Sequence, residues 1–226
     1  MGEAPAALRT GWVLGIDEAG RGPVLGPLVV GGFLLRTDRL PDLARLGVRD
    51  SKKLSPARRS AIFERLPEIG ERHHIVLAPS EIDRAVRVGG LNDLEARSFA
   101  RLVRRTRPQT AFVDACDTDA ARFGRRVRGY AKVPSEVVAR HKADRDLLVV
   151  GAASIVAKVL RDRALERLRV AVGAELGSGY PGDARTRAFL SDVLRRGERP
   201  EYVRHEWRTT KELMPRRGPT PLEAFQ

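Results

Sequence analysis

Two adjacent acids at the end of an apolar run, Asp17 and Glu18, constrain this chain more than any other feature. The run Trp12 to Ile16 reads as a strand, and after Gly20-Arg21-Gly22-Pro23 the stretch Val24 to Leu35 reads as another, with glycines in it. The connection is too short for a parallel crossover, so an antiparallel hairpin at the centre of a sheet is expected. An ionised carboxylate in an apolar setting is costly unless it is paired or holds a metal. Something cationic is therefore expected beside Asp17 and Glu18. The Gly-Arg-Gly turn adds one cation to a side-chain-poor backbone of the kind that can approach a phosphate or sugar closely.

The partner suggested by charge is a polyanion. Lys and Arg number 42 against 29 acids, a net charge of +13, and clustered cations neutralise phosphates and release counterions. The plainer alternative is a solvated, arginine-rich surface. With 42% hydrophobic and 31% charged residues the chain reads as soluble and globular. No run approaches the roughly 20 apolar residues of a membrane span. Met1 to Thr10 contains Glu3 and no apolar stretch of signal-peptide length, so a cytoplasmic protein with no membrane partner is expected. The single cysteine, Cys116, excludes an internal disulfide framework and a multi-cysteine zinc site, and reads as small apolar filler beside a strand.

Further along, Ser55-Pro56 supplies an N-cap and a first helical position for a helix to about Leu66. Ser51, Lys52 and Lys53 precede it, either to hold a phosphate backbone or as ordinary surface. A strand is expected over His73 to Ala78, a helix from Pro79-Ser80 to Gly89-Gly90, and another from Leu91 to about Arg105. His73 and His74 point to opposite strand faces and are poor joint ligands. Thr110 to Asp114 is a short apolar strand that again ends on an acid. Asp117 and Asp119 read as structural, Asp119 capping a helix into Arg126, and Arg128 to Val133 reads as a strand.

Asp144 lies just upstream of a long helical segment, Val149 to Leu168, where either capping or a functional role explains it. Ser154 and Lys158, four apart, share a face of that segment. Gly177 to Asp183 is a rigid turn that holds Tyr180 out between small residues, its face suited to stacking on a sugar or base. Helices are expected over Thr186 to Arg195 and Glu201 to Met214, and the proline-containing tail after Met214 should be loose at its end. The expected organisation is a catalytic domain over 1–183 and a helical C-terminal extension over 184–226, too small for an independent core and packed on the rest.

Asp17, Glu18, Asp114 and Asp144 give up to four carboxylates on three segments, with no His or Cys cluster nearby. Such an all-oxygen set prefers Mg²⁺ or Mn²⁺. Two ions about 3.5–4 Å apart would activate a water and stabilise the leaving oxygen of a phosphodiester. Acids would hold metals, and surrounding cations would hold the polyanion.

The chain resembles type 2 ribonuclease H, most of all its archaeal branch. The resemblance rests on Gly15 to Pro23, Asp50-Ser51-Lys52-Lys53-Leu54, Val113-Asp114, His141-Lys142-Ala143-Asp144, Ala152 to Val159 and Gly177-Ser178-Gly179-Tyr180-Pro181, in family order over roughly 12–213. It implies an α/β fold, a ribonuclease H-like mixed sheet flanked by helices. It also implies divalent-metal cleavage of the RNA strand of RNA/DNA hybrids, and incision at ribonucleotides embedded in duplex DNA, leaving a 3′-hydroxyl and a 5′-phosphate. Asp17, Glu18, Asp114 and Asp144 match the metal-binding catalytic acids. Gly20, Arg21 and Gly22 match the turn that reads the 2′-hydroxyl at the RNA–DNA junction, and Tyr180 the tyrosine that stacks on the deoxyribose beyond it. Ser51, Lys52, Ser154 and Lys158 are candidates for phosphate contacts. Gly151 and Arg140 depart from the family pattern, and neither is a metal ligand. The tail matches nothing in the family, and Phe225-Gln226 is too little to claim a sliding-clamp peptide. The reading is a monomeric endoribonuclease. Its rivals are a related two-metal nuclease that cuts all-DNA substrates and a non-catalytic nucleic-acid-binding module.

Overall fold

The computed structural model describes residues 11–48 and 54–215. In chain order the elements are β1 (Trp12–Ala19), β2 (Leu28–Arg36), α1 (Leu40–Leu46), α2 (Pro56–Arg65), β3 (Glu71–Leu77), α3 (Pro79–Arg87), α4 (Leu91–Thr106), β4 (Thr110–Asp114), α5 (Ala120–Ala131), β5 (Glu136–Arg140), α6 (Ala143–Asp146), α7 (Leu148–Val172), α8 (Ala184–Arg195) and α9 (Arg208–Leu213). The strands form one mixed sheet in the order β3-β2-β1-β4-β5. The hairpin β1/β2 and the pair β2/β3 are antiparallel, whereas β4 and β5 run parallel to the central β1.

Strand parity sorts the core into two layers, because successive residues point to opposite faces. Val13 on β1 and Phe33 and Leu35 on β2 pack with α2 and α7. Leu14, Ile16, Leu28 and Val30 pack on the other face with α3, α4 and α5, where Phe99 and Phe123 meet edge to face at 5.3 Å between centroids. By the same parity Asp17 belongs to the α7 side and Glu18 to the α4 side.

Two glycines let α7 lie directly on the hairpin. A Cβ at Gly15 would land on the Val149 carbonyl, and one at Gly31 on the backbone of Ala153 and Ala157. Gly31 is the ladder partner of Asp17, so this close approach sets α7 beside the acid. Gly151, one of the departures from the family pattern, also occupies a tight place: a Cβ there would come within 3.2 Å of the Asp144 carbonyl.

Three expectations are corrected. Arg128 to Val133 is not a strand; Arg128 to Ala131 is the end of α5, whose Phe123, Val127 and Ala131 keep helical spacing on one buried face, with Lys132 closing the helix in the left-handed region at φ +53°. β2 starts at Leu28 rather than Val24, because Val24 to Gly26 pairs elsewhere: Leu25 bridges to Val203 and Gly26 takes φ +77°. Of the helix expected over Glu201 to Met214 only α9 forms. Residues 202–204 instead run alongside Val24 to Gly26, with Gly26 N donating to Tyr202 O and Arg204 N to Val24 O, each at 2.9 Å. The segment 184–215 shares a buried cluster with these residues, in which Leu190, Leu194 and Val203 pack on Val24, Leu25 and Leu165.

Candidate active site

Asp17, Asp114 and Asp144 converge where β1 and β4 end side by side. Each offers one oxygen within 4.8 Å of the others. Parallel pairing puts Ile16 opposite Val113 and so aligns the two strand ends. Asp114 accepts a hydrogen bond from Ala143 N at 3.1 Å, which docks the start of α6 against β4 and brings in the next residue, Asp144. Asp144 is buried within α6, and the residue at the N-cap of α7 is Leu147. Capping of the long helix is therefore not its role.

α7 supplies support for Asp17. The Ser154 hydroxyl hydrogen-bonds the Asp17 carboxylate, and Lys158 Nζ donates to Ser154 Oγ at 2.7 Å. Ser154 is fully buried between them. Lys158 lines the open cleft. Ser51 and Lys52 lie outside the described residues.

Burial pushes the Asp17 carboxyl up to about 7, with Asp114 and Asp144 adding to the rise and the Ser154 hydrogen bond and Lys158 opposing it. Burial likewise pushes Glu18 up to about 8, Asp17 and Asp114 adding and Arg21 opposing. Acids crowded this way hold their charge only if a cation joins them. The donors are all hard oxygens, the chemistry of Mg²⁺ or Mn²⁺ rather than zinc. Glu18 Oε2 is buried and has no hydrogen-bond partner among the described residues, an orphan that a cation would satisfy.

Glu18 turns toward α4, as strand parity requires, and joins a second group with Glu95 and Cys116. Glu95 is fully buried. It receives the Arg21 guanidinium and, at 3.0 Å, the Cys116 thiol, while Arg21 Nη2 also donates to Asn92 Oδ1 at 2.7 Å. Cys116 packs against the core on this face, as expected of small apolar filler, and its thiol also donates to a carboxylate; burial holds that thiol up at about 12. Sequence reading missed Glu95. The signal was present: it sits among Leu91, Phe99 and Leu102 at helical spacing, an acid on an apolar face.

Beyond the acids the Gly20–Gly22 turn faces Tyr180 across a cleft that Glu18, Lys158 and Arg161 also line. A Cβ at Gly22 would come within 3.6 Å of the Tyr180 ring. Val24 N donates to Gly179 O at 2.8 Å, and the buried Arg161 donates to Ser178 O at 2.9 Å with its guanidinium 5.3 Å from the Tyr180 ring centroid. The ring is held from behind while 44% of the residue stays exposed. A second residue missed in the sequence is Arg204, which lies fully buried behind the turn; among 42 Lys and Arg nothing in its neighbourhood marked it out.

The family model of ribonuclease HII matches residues 14–210. A ribonuclease HII of Thermococcus onnurineus is 44% identical over 223 residues, 93% of this chain and 97% of the relative. Among solved structures, the PCNA:RNase HII complex from Archaeoglobus fulgidus superposes with a TM-score of 0.82 at 38% identity, covering 92% of this chain and 98% of that one. Bst-RNase HIII in complex with Mn²⁺ gives 0.77 at 26% identity, over 93% and 73%. The mixed sheet, its helical layers and the residues matched agree: the chain belongs to the ribonuclease HII family and is a metal-dependent endonuclease of the ribonuclease H type.

Proposed function

We propose that this chain hydrolyses the RNA strand of RNA/DNA hybrids and incises 5′ of ribonucleotides embedded in duplex DNA, leaving 3′-hydroxyl and 5′-phosphate ends. The observation that carries the reading is one continuous cleft: it runs from Glu18, beside the Asp17/Asp114/Asp144 group, past Gly20 to Gly22, to a half-exposed tyrosine. Asp17, Glu18, Asp114 and Asp144 would hold Mg²⁺ or Mn²⁺, supplying Lewis-acid activation of water and stabilisation of the leaving oxygen. The Mn²⁺ complex of the Bst-RNase HIII relative supports that choice of metal.

The chain's own residues then divide the work. Ser154 fixes the orientation of Asp17, and Lys158 fixes Ser154. Backbone N–H groups of the Gly20–Gly22 turn meet the ribose, whose 2′-hydroxyl is the group that separates RNA from DNA. Tyr180 stacks on the sugar beyond the junction, and Lys158 reaches a phosphate. One chain carries all four acids, so a monomer suffices. No helix among the described residues is long and apolar enough to cross a membrane, in keeping with action in the cytoplasm. The chain then divides into a catalytic part, 1–183, and a helical extension, 184–226. A sliding clamp is a partner to test in view of the Archaeoglobus complex; residues 216–226 lie outside the described residues.

The test is a pair of substitutions. Asp17→Asn should abolish cleavage of a duplex with one ribonucleotide. Tyr180→Ala should lower single-ribonucleotide cleavage about five- to hundredfold, the worth of one stacking contact, and lower cleavage of long hybrids less. Near-normal cleavage by Asp17→Asn would sink the metal assignment, and equal losses on both substrates would sink the junction role of Tyr180.

A further inference from the structure

Three consecutive carbonyls of the Gly20–Gly22 turn are gripped by one short stretch of the C-terminal segment. The buried Arg204 guanidinium donates Nη2 to Gly20 O at 2.6 Å, Nη1 to Arg21 O at 3.0 Å and Nε to Gly26 O at 3.1 Å. Trp207 Nε1 donates to Gly22 O at 3.2 Å, and its ring lies 4.9 Å from the Arg204 guanidinium carbon. The stretch is itself tied down. Leu25 bridges to Val203 on one side, and on the other the His205 and Glu206 amides donate to the Asp83 carboxylate on α3 at 2.8 and 3.0 Å.

Arg204 forms no ion pair among the described residues. A buried cation is costly, and this one directs its hydrogen bonds at the backbone of a single turn. The peptide planes give the consequence. The described residues contain no cis peptide bond, and in a trans peptide the carbonyl and the following N–H point in opposite directions. Gly20 and Arg21 carbonyls turned toward Arg204 therefore turn the Arg21 and Gly22 N–H groups away from it. Pro23, which follows the third carbonyl, has no N–H to offer. The turn thus presents two amides, on a backbone that lines the cleft with Lys158 and Tyr180.

We propose that Arg204, assisted by Trp207, is a positioning residue for ribose recognition: it fixes the Arg21 and Gly22 amides as a rigid donor pair for a sugar hydroxyl of the substrate. This rests on the reading of Gly20–Gly22 as the ribonucleotide-reading turn. It makes selectivity for ribonucleotides a property of a segment that carries none of the four acids.

The experiment compares wild type, Trp207→Phe and Arg204→Lys. For each, KM and kcat are measured on a duplex with one ribonucleotide, together with Ki for the all-DNA duplex of the same sequence as competitor. Trp207→Phe keeps an aromatic ring, though a smaller one, and removes one donor, and should reduce the preference Ki/KM about fivefold, the worth of one hydrogen bond. Arg204→Lys keeps the charge but cannot span three carbonyls, and should reduce the preference about a hundredfold. Ki for all-DNA should stay unchanged in both, which a general loss of structure would not allow. A variant that keeps the wild-type preference, or that weakens both duplexes equally, overturns the role of Arg204. A wild type that itself shows no preference overturns the reading of the turn. Should Arg204→Lys fail to fold, Trp207→Phe alone decides, with thermal unfolding to show that its fold is intact.

Discussion

Asp17→Asn should inactivate the enzyme and, without metal, make it more stable. Burial and neighbouring carboxylates raise the Asp17 carboxyl to about 7 from its ordinary 3.8. An acid raised this way binds a proton in the folded state that it has lost in the unfolded state. Its stabilising contribution is thus full below the ordinary value and disappears as pH climbs through the interval, the reverse of a salt-bridged carboxylate. At about 1.4 kcal/mol per pH unit, ionising Asp17 costs the fold about 4 kcal/mol once pH exceeds 7. Asparagine has nearly the same shape and no charge to bury. Urea unfolding with a chelator present, at about pH 8, should therefore find the variant more stable by at least about 2 kcal/mol, because Glu18 loses its charged neighbour too. At about pH 5 the gain should shrink by roughly 2–3 kcal/mol. With Mg²⁺ added, only the wild type should be further stabilised, since the ion binds the ionised site. A variant less stable than wild type at both pH values would refute the view of this site as strained carboxylates awaiting a cation.

Other substitutions probe the supports. Gly31→Ala should displace α7 from the hairpin and cost about 3 kcal/mol, with loss of cleavage because Ser154 moves away from Asp17; unchanged stability by urea unfolding would contradict the close packing. Glu95→Gln leaves Arg21 without its buried charge partner. Because Arg21 is about one-third exposed, the loss should be modest, about 1–2 kcal/mol, and a stability gain would show that the pair is not needed. Cys116, its thiol held near 12 by burial, should resist iodoacetamide in the native state at neutral pH and react after unfolding; rapid native labelling would contradict its hydrogen bond to Glu95.

The acids were legible because each stands at the end of an apolar strand or beside an apolar helix, where a charge needs a reason. Parity along β1 sends Asp17 and Glu18 to different layers, which reading them as one adjacent pair overlooked, and the partner waiting for Glu18 was not legible either. Glu95 reads as surface unless α4 is laid on a helical wheel. What failed depended on distant segments. Arg128 to Val133 has strand-like composition, but Phe123 and Val127 on the same face continue the helix into it. Glu201 to Met214 has apolar residues at helical spacing, yet the unpaired edge left by Val24 to Gly26 captures 202–204 in an extended form. No local pattern reveals that competition, and with it went Arg204, whose partners lie some 180 residues away.

The carboxylate site and the Gly20–Gly22 turn are proposed to act together to cut beside a ribose. The decisive assay is cleavage with Mg²⁺ of three duplexes of one sequence, all-DNA, RNA/DNA hybrid and DNA with a single ribonucleotide, with the ends of every product identified. The hybrid should be cleaved, the lone ribonucleotide should give a single cut on its 5′ side leaving a 3′-hydroxyl and a 5′-phosphate, and the all-DNA duplex should stay intact. Cleavage of all-DNA at a comparable rate, or of no duplex at all, would contradict that joint action.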